Sequence, residues 1–128
     1  MNDFEKDNII KVKSYKFALR IIKLYKYLVE EKKEYVLSRQ LLRSGTSIGA
    51  NVEEAIGGIS KKDFINKIYI VYKEARETRY WINLLKDSDY FTDKASESLL
   101  NDCEEIIKLS GKIISSSKKS VPSTEKSV

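Results

Sequence analysis

Residues 37–55 of this chain, LSRQLLRSGTSIGANVEEA, indicate which fold it adopts. Small or apolar side chains recur there at successive spacings of four, three, four, four and three: Leu37, Leu41, Ser44, Ile48, Val52 and Ala55. This period puts all of them on one face of an α-helix. Beside that face, Gly45 and Gly49 each cost about 1 kcal/mol of helix stability relative to alanine, so we expect a neighbouring helix to approach closely there.

The sequence before this stretch predicts a first helix from about residue 14 to residue 32. It carries two adjacent apolar stripes, one of Tyr15, Leu19 and Ile22 and the other of Phe17, Ile21, Leu24 and Leu28. A helix that faces one small core needs a single stripe. The second stripe therefore indicates a further buried contact, which another subunit can supply.

The sequence after the stretch predicts two more helices. Gly57 and Gly58 supply a stop for the second helix. Ser60 begins a capping box, and Ile59 and Phe64 have the positions of a hydrophobic staple, so a third helix starts there. Its core stripe is Phe64, Ile68, Val71, Ala75, Thr78, Ile82 and Leu85. Thr92 is the predicted N-cap of a fourth helix. The apolar row of that helix is Ala95, Leu99, Cys103, Ile106, Ser110 and Ile113.

These elements predict one all-α domain, an antiparallel up-down-up-down four-helix bundle over residues 13–115. A polar N-terminal arm over residues 1–12 precedes it, and a mobile Ser/Lys-rich tail over residues 116–128 follows it. The length of 128 residues suits one domain, and 5 Gly and 1 Pro are too few for many short strands. No stretch is apolar for long enough to span a membrane or serve as a signal region, so we expect a cytoplasmic protein that uses no membrane.

The absence of certain residue types excludes most catalytic chemistry. The chain has no His and one Cys, which rules out imidazole triads, Cys–His pairs and zinc knuckles. Residues 45–49 match the G-x-S-x-G nucleophile elbow, but they continue a helical stripe and no His base exists. Glu53–Glu54, Glu74 with Glu77 and Glu104–Glu105 are interpreted as solvated charge. We therefore predict no enzyme, no metal and no cofactor, and we interpret Cys103 as a small buried hydrophobe.

A run of cations along the first helix is the strongest functional signal. Six cations and no acid lie between residues 11 and 26: Lys11, Lys13, Lys16, Arg20, Lys23 and Lys26. Lys13, Lys16, Arg20 and Lys23 form a narrow ribbon on the helix surface, here called the basic ribbon, and are the candidate nucleic-acid-binding residues. A solvated helix face also carries lysines, and a net charge of 24 − 19 = +5 is only mildly basic. Repetition of the ribbon by oligomer symmetry would raise the local potential.

Two further surfaces have more than one interpretation. Tyr69, Tyr72, Arg76 and Tyr80 share one side of the third helix, here called the Tyr/Arg face. Tyr and Arg are enriched at protein interfaces and also stack on bases, and on a bundle helix we favour a subunit interface. An uncharged polar row, Gln40, Ser44, Ser47 and Asn51, is interpreted as a hydrogen-bonded seam between helices or between subunits.

The stretch RQLLRSGTSIGANVEEAIGGISKKDF, followed by YKEARETRYWINLL, resembles a known family. It is similar to the small four-helix-bundle proteins encoded in intervening sequences of bacterial 23S rRNA genes, over about residues 14–115; Ala55 stands where many members have Gly. The resemblance implies a ring-like homopentamer. It also extends to the accessory variability proteins of diversity-generating retroelements, basic pentamers thought to bind nucleic acid and a reverse transcriptase. It brings no catalytic residue.

Two functions follow as hypotheses. The first is a non-enzymatic homo-oligomer, a pentamer, whose basic ribbon binds the backbone of RNA or DNA with little sequence preference. The alternative is a protein-interaction scaffold with no nucleic-acid binding, in which a partner protein docks on the Tyr/Arg face.

Overall fold

The computed structural model describes the backbone of residues 3–119 and the side chains of residues 5–117. Its elements are α1 (Asp3–Glu30), α2 (Leu37–Ile56), α3 (Lys61–Asp87) and α4 (Asp93–Lys119). Across residues 3–119 there is no strand, so the predicted all-α class is confirmed. The helices form a four-helix bundle in which α1 and α3 each pack against both α2 and α4, while α1 and α3 lie diagonally opposite each other.

The faces predicted for α2, α3 and α4 form most of the core, although Ala95 at the start of the predicted α4 row is exposed. On α2, Leu41, Ile48 and Val52 are fully buried. The core also contains Ile68, Val71, Ala75, Ile82 and Leu85 of α3, and Leu99, Cys103, Ile106 and Ile113 of α4. Because the period of 3.6 residues aligns these side chains, each helix buries one continuous stripe against its neighbours.

Helix α1 carries two stripes that differ sharply in exposure. Phe17, Ile21 and Leu28 are at most 1% exposed and belong to the core. In contrast, Tyr15 is 66% and Leu19 is 52% exposed. Val12, Tyr15, Leu19 and Ile22 form one continuous exposed row, here called the α1 apolar stripe. The core thus buries one of the two stripes on α1, and the further buried contact expected for the other stays a prediction.

The chain ends differ from the predicted domain limits. Helix α1 already begins at Asp3, and Ile10 is 1% exposed in the core, so the prediction of an arm over residues 1–12 is wrong from residue 3 onward. At the other end α4 continues to Lys119, which makes the first four residues of the predicted mobile tail helical. The rest of that predicted tail, residues 120–128, lies outside the described residues.

Ser60 and Thr92 are the predicted N-caps of α3 and α4. The Ser60 hydroxyl accepts a hydrogen bond from the Asp63 N–H at 3.1 Å, and the Thr92 hydroxyl accepts one from the Ala95 N–H at 3.2 Å. Both predicted N-caps are confirmed. The predicted hydrophobic staple is wrong, because Ile59 is 97% exposed and therefore does not pack against the helix.

An unpredicted carboxylate caps α2. Glu34 is 9% exposed and accepts hydrogen bonds from the N–H groups of Val36, Leu37 and Ser38 at 3.1, 2.9 and 2.7 Å. These are donors that the first turn of a helix leaves without intrahelical partners. Burial opposes ionisation of Glu34, but the backbone hydrogen bonds outweigh it and lower the pKa of this carboxyl below its ordinary value.

Helices α1 and α2 approach closely at the two glycines, as predicted. A Cβ atom on Gly45 would lie 2.8 Å from the Ile21 side chain, and one on Gly49 would lie 3.4 Å from the Ser14 carbonyl oxygen. The helix that approaches is thus α1. Of the predicted polar seam, only Ser44 forms a hydrogen bond to another helix among the described residues, with its hydroxyl oxygen 2.9 Å from that of Thr78 on α3.

Two candidate nucleophiles have purely structural positions. Ser47, at the centre of the G-x-S-x-G match, lies inside α2 and donates to the Ser44 carbonyl at 2.8 Å. Cys103 is fully buried, and its thiol lies 3.2 Å from the Ala75 carbonyl. Burial raises the pKa of the Cys103 thiol to about 12, which keeps it protonated.

Candidate nucleic-acid interface

The basic ribbon lies along the seam between α1 and α4, and half of it is ion-paired. Lys13 Nζ is 2.7 Å from Glu105, and Arg20 Nη1 is 2.6 Å from Asp102. All four side chains are 40–55% exposed, so each pair contributes only a fraction of a kcal/mol to stability. Their greater effect is on the local charge, since two carboxylates of α4 neutralise two of the four candidate cations.

Lys16 and Lys23 are the two unpaired members of the ribbon. Both side chains are exposed, and neither has a carboxylate within 4.0 Å among the described residues. They are seven residues apart, about two helical turns, which places them on the same side of α1. A phosphate that approached this side would meet two free ammonium groups, with the Lys13 and Arg20 pairs beside them.

The paired carboxylates of α3 join helices, and the prediction that they are simply solvated charge is wrong for Glu74. This residue is 8% exposed, and Arg43 of α2 lies 3.2 Å from its carboxylate. Arg43 also donates to Glu77, which accepts a further hydrogen bond from Trp81 at 2.9 Å. Burial opposes ionisation of Glu77, yet the hydrogen bonds from Trp81 and Arg43 lower the pKa of this carboxyl.

The other acidic pairs also serve in ion pairs. Glu53 pairs with Lys11, Glu54 with Lys67, Glu104 with Arg79 and Glu105 with Lys13. Within the described part of the chain, no three acidic or Cys side chains cluster so as to hold a metal ion. No helix between residues 3 and 119 is both long and apolar enough to cross a bilayer.

The Tyr/Arg face is partly internal. Tyr80 and Tyr69 are 58% and 40% exposed, as an interface would require. Tyr72 instead packs against the core, and a Cβ on Gly111 of α4 would lie 3.7 Å from its ring. Arg76 lies over this ring at 5.6 Å and donates to its hydroxyl at 3.2 Å. Tyr72 therefore joins α3 to α4, and the outer surface of this face belongs to the other three residues.

Sequence reasoning missed a groove at one end of the α1–α4 seam. It has a volume of about 710 Å³ and is bounded by α1, the start of α4 and the α3–α4 loop. Arg20 and Lys23 of the basic ribbon form part of its wall. The groove is assembled from segments that are far apart in sequence, and only the adjacent aromatics Tyr90 and Phe91 could have signalled it.

The chain is similar to a known protein family and to a solved structure. The family model described as "23S rRNA-intervening sequence protein" matches residues 6–112. The chain belongs to this family. A similar solved structure is that of a protein of unknown function from the S23 ribosomal protein family of Bacteroides thetaiotaomicron VPI-5482. The two are 55% identical, the match covers 86% of this chain and 98% of that one, and the TM-score is 0.84. No curated protein matches the chain.

The predicted resemblance to the 23S rRNA-intervening sequence proteins is thus confirmed. The matched range, residues 6–112, contains the whole basic ribbon, the Tyr/Arg face and the groove. The similar protein is of unknown function, and a fold does not by itself determine an activity. The function of this chain is therefore inferred from these surfaces.

Proposed function

We propose that this chain forms a closed homopentameric ring of antiparallel bundles, is not an enzyme, and binds the phosphate backbone of RNA or DNA with little sequence preference. The observation that carries the binding proposal is the free, exposed pair Lys16 and Lys23 beside the ion-paired Lys13 and Arg20. A net charge of +5 on every subunit adds to the attraction. The proposed location is the cytoplasm, which stays a prediction.

Contacts between α1 and α4 support the antiparallel part of the proposal. Along the seam Lys6 pairs with Ser116, Lys13 with Glu105 and Arg20 with Asp102. Residue numbers therefore rise on α1 as they fall on α4. With short connections between consecutive helices, this is the pattern of an up-down-up-down bundle.

Two unlike surfaces on diagonally opposite helices support a ring. A head-to-tail contact joins two different patches, and such contacts generate either a closed ring or an open filament. Here one patch is the α1 apolar stripe, in which Tyr15 lines a depression together with Ala18, Gly49 and Ala50. The other is the exposed part of the Tyr/Arg face on α3. Five is the number of subunits that the family resemblance implies.

A charge-reversal variant tests backbone binding. Lys16→Glu should lower the affinity for RNA and for DNA by a similar factor, about tenfold, because a phosphate contact carries no sequence information. Lys16 is a better choice than Arg20, because Lys16 has no ion pair among the described residues, whereas a change at Arg20 would break its pair with Asp102. Lys62→Glu is the matched control, since Lys62 is an exposed lysine on α3 with no ion pair among the described residues.

Salt dependence completes the test. Fluorescence anisotropy with labelled RNA and DNA should show affinity falling by about a thousandfold between roughly 50 and 200 mM salt if about six phosphates are contacted. Binding that ignores salt, or an equal loss in Lys62→Glu, would contradict the proposal.

A protein-interaction scaffold is the second candidate, and the ion pairs of the ribbon favour it. Glu105 and Asp102 remove two of the four candidate phosphate contacts. At the same time Tyr80 and Tyr69 remain exposed for a partner protein. A stoichiometric protein partner that stays bound after nuclease treatment, with no mass gained from added RNA or DNA at low salt, would decide for the scaffold.

A further inference from the structure

The groove at the end of the α1–α4 seam combines an aromatic wall with a cationic rim. Tyr27 of α1 forms one side, and Tyr90 and Phe91 of the α3–α4 loop form the other. Leu24, Ala95 and Leu99 supply apolar surface between them. The volume of about 710 Å³ lies within the range of about 300–1,000 Å³ that is usual for ligand pockets.

Tyr27 is the aromatic side chain best placed to contact a ligand. It is 40% exposed, whereas Tyr90 and Phe91 are partly buried against the core. Lys32 lies over its ring, with Nζ 5.9 Å from the ring centroid. Because the ring of Tyr27 lines the groove and the residue is partly exposed, a ligand in the groove can reach it, and a cation is held next to it.

The charges around the groove favour a ligand that carries phosphate beside an aromatic group. Lys23 and Lys32 line it without a carboxylate partner among the described residues, while Arg20 is held by Asp102. Asp89 is the one acidic side chain among the described residues that line the groove, and a carboxylate there can accept a hydrogen bond from the amino group of a base. Lys23 and Arg20 also belong to the basic ribbon, so a backbone that follows the ribbon leads to the mouth of the groove.

We propose that the groove takes an unstacked base of single-stranded nucleic acid, with Tyr27 stacking on the base and Lys23 and Lys32 next to the flanking phosphates. This inference rests on the proposed function and adds a preference to it. A base inside a duplex is stacked and paired on both sides, so it cannot enter a groove in the protein without being flipped out. A single strand offers its bases freely, and base–aromatic stacking tolerates any sequence.

The test compares three ligands of equal length at one low salt concentration. These are a 12-nucleotide single strand, its duplex, and a single strand of abasic residues that keeps the phosphates and lacks the bases. Wild-type protein should bind the intact single strand about tenfold more tightly than the abasic strand or the duplex. A 2-aminopurine in the intact strand should lose fluorescence on binding, because stacking quenches it.

Variants of Tyr27 connect that preference to the groove. Tyr27→Ala should remove most of the tenfold advantage and the quenching, with duplex affinity unchanged, whereas Tyr27→Phe should retain both. Tyr35→Ala is the matched control, because Tyr35 is 51% exposed and lies outside the groove. Circular dichroism and light-scattering mass should be unchanged in all three variants, since Tyr27 lies outside the core.

Each other outcome has a definite meaning. Equal binding of all three ligands, unaffected by Tyr27→Ala, overturns the base groove and leaves backbone binding intact. No binding of any ligand overturns the proposed function and the groove with it. A lower oligomer mass of Tyr27→Ala overturns the groove as a base site, because it makes this surface a subunit contact.

Discussion

Gly45 determines how closely α1 and α2 pack. The nearest atoms to a Cβ at this position would be Cγ1 and Cγ2 of Ile21, both at 2.8 Å. These atoms branch from the Cβ of a stiff side chain that is itself fully buried, so they cannot move aside cheaply. At Gly49 the nearest atom is the Ser14 carbonyl oxygen at 3.4 Å, which leaves more room.

Substitution of the two glycines by alanine should therefore have different effects on stability. We expect Gly45→Ala to lower the free energy of unfolding by about 1–2 kcal/mol, because the strain of overpacking exceeds the gain in helix propensity. Gly49→Ala should be neutral or stabilise by up to about 1 kcal/mol. Urea unfolding at a single protein concentration measures both, and equal effects would contradict the packing argument.

At the scale of the element, Glu34 caps the N-terminus of α2. Three N–H groups of the first turn converge on one carboxylate that is 9% exposed. Ser38 adds a second link, since its hydroxyl donates to the Glu34 carbonyl at 2.8 Å. Hydrogen bonds to a charged acceptor are stronger than those to a neutral one, so the ionised form holds the helix start best.

Glu34→Gln should lower the free energy of unfolding at pH 7 by about 1 kcal/mol, and Glu34→Ala by about 2–3 kcal/mol. The folded pKa of Glu34 lies below its ordinary value of 4.5. The ionised cap therefore stabilises the protein fully above that value, and its contribution is lost as the pH falls through the folded pKa. The difference in the free energy of unfolding between wild type and Glu34→Gln should therefore shrink as the pH is lowered, and urea unfolding at pH 7 and at acidic pH measures it.

The helices differ in how well their limits and buried faces can be predicted from the sequence. The period of the apolar residues predicts α2, α3 and α4 with their buried faces, because that information is local. It misses the first turns of α1, whose burial depends on α4, as the Lys6–Ser116 hydrogen bond across 110 residues illustrates. The sequence predicts the ribbon cations but not the partners of Lys13 and Arg20, because Glu105 and Asp102 lie 92 and 82 residues away in the chain and only the fold brings them close.

At the scale of the whole molecule, the exposed α1 apolar stripe is one of the two surfaces that the proposed ring would bury. Leu19→Glu should cost a lone bundle little, since Leu19 is 52% exposed. In a ring it would bury a charge, so the light-scattering mass should fall toward that of a monomer. Ile59→Glu is the matched control, because Ile59 is 97% exposed and lies far from the stripe in sequence.

Mixing two variants tests the head-to-tail geometry. Tyr80→Glu should break the ring from the α3 side, and it is preferable to any change at Tyr72, which packs inside the bundle. In a mixture of the two variants, the unchanged α3 face of the Leu19→Glu chain can still bind the unchanged α1 apolar stripe of the Tyr80→Glu chain. The mixture should therefore form dimers and go no further. Full-sized oligomers of either variant would place the interface elsewhere.

The environment of Cys103 makes the chain convenient to label. With a pKa of about 12, roughly one Cys103 thiol in ten thousand is ionised at pH 8, and the side chain is fully buried. A maleimide reagent consequently finds no reactive thiol at this position in the folded protein. A cysteine introduced at an exposed position such as Ile59 or Val36 would be the one that reacts. Dyes or spin labels can thus be attached at a chosen site without first replacing the native thiol.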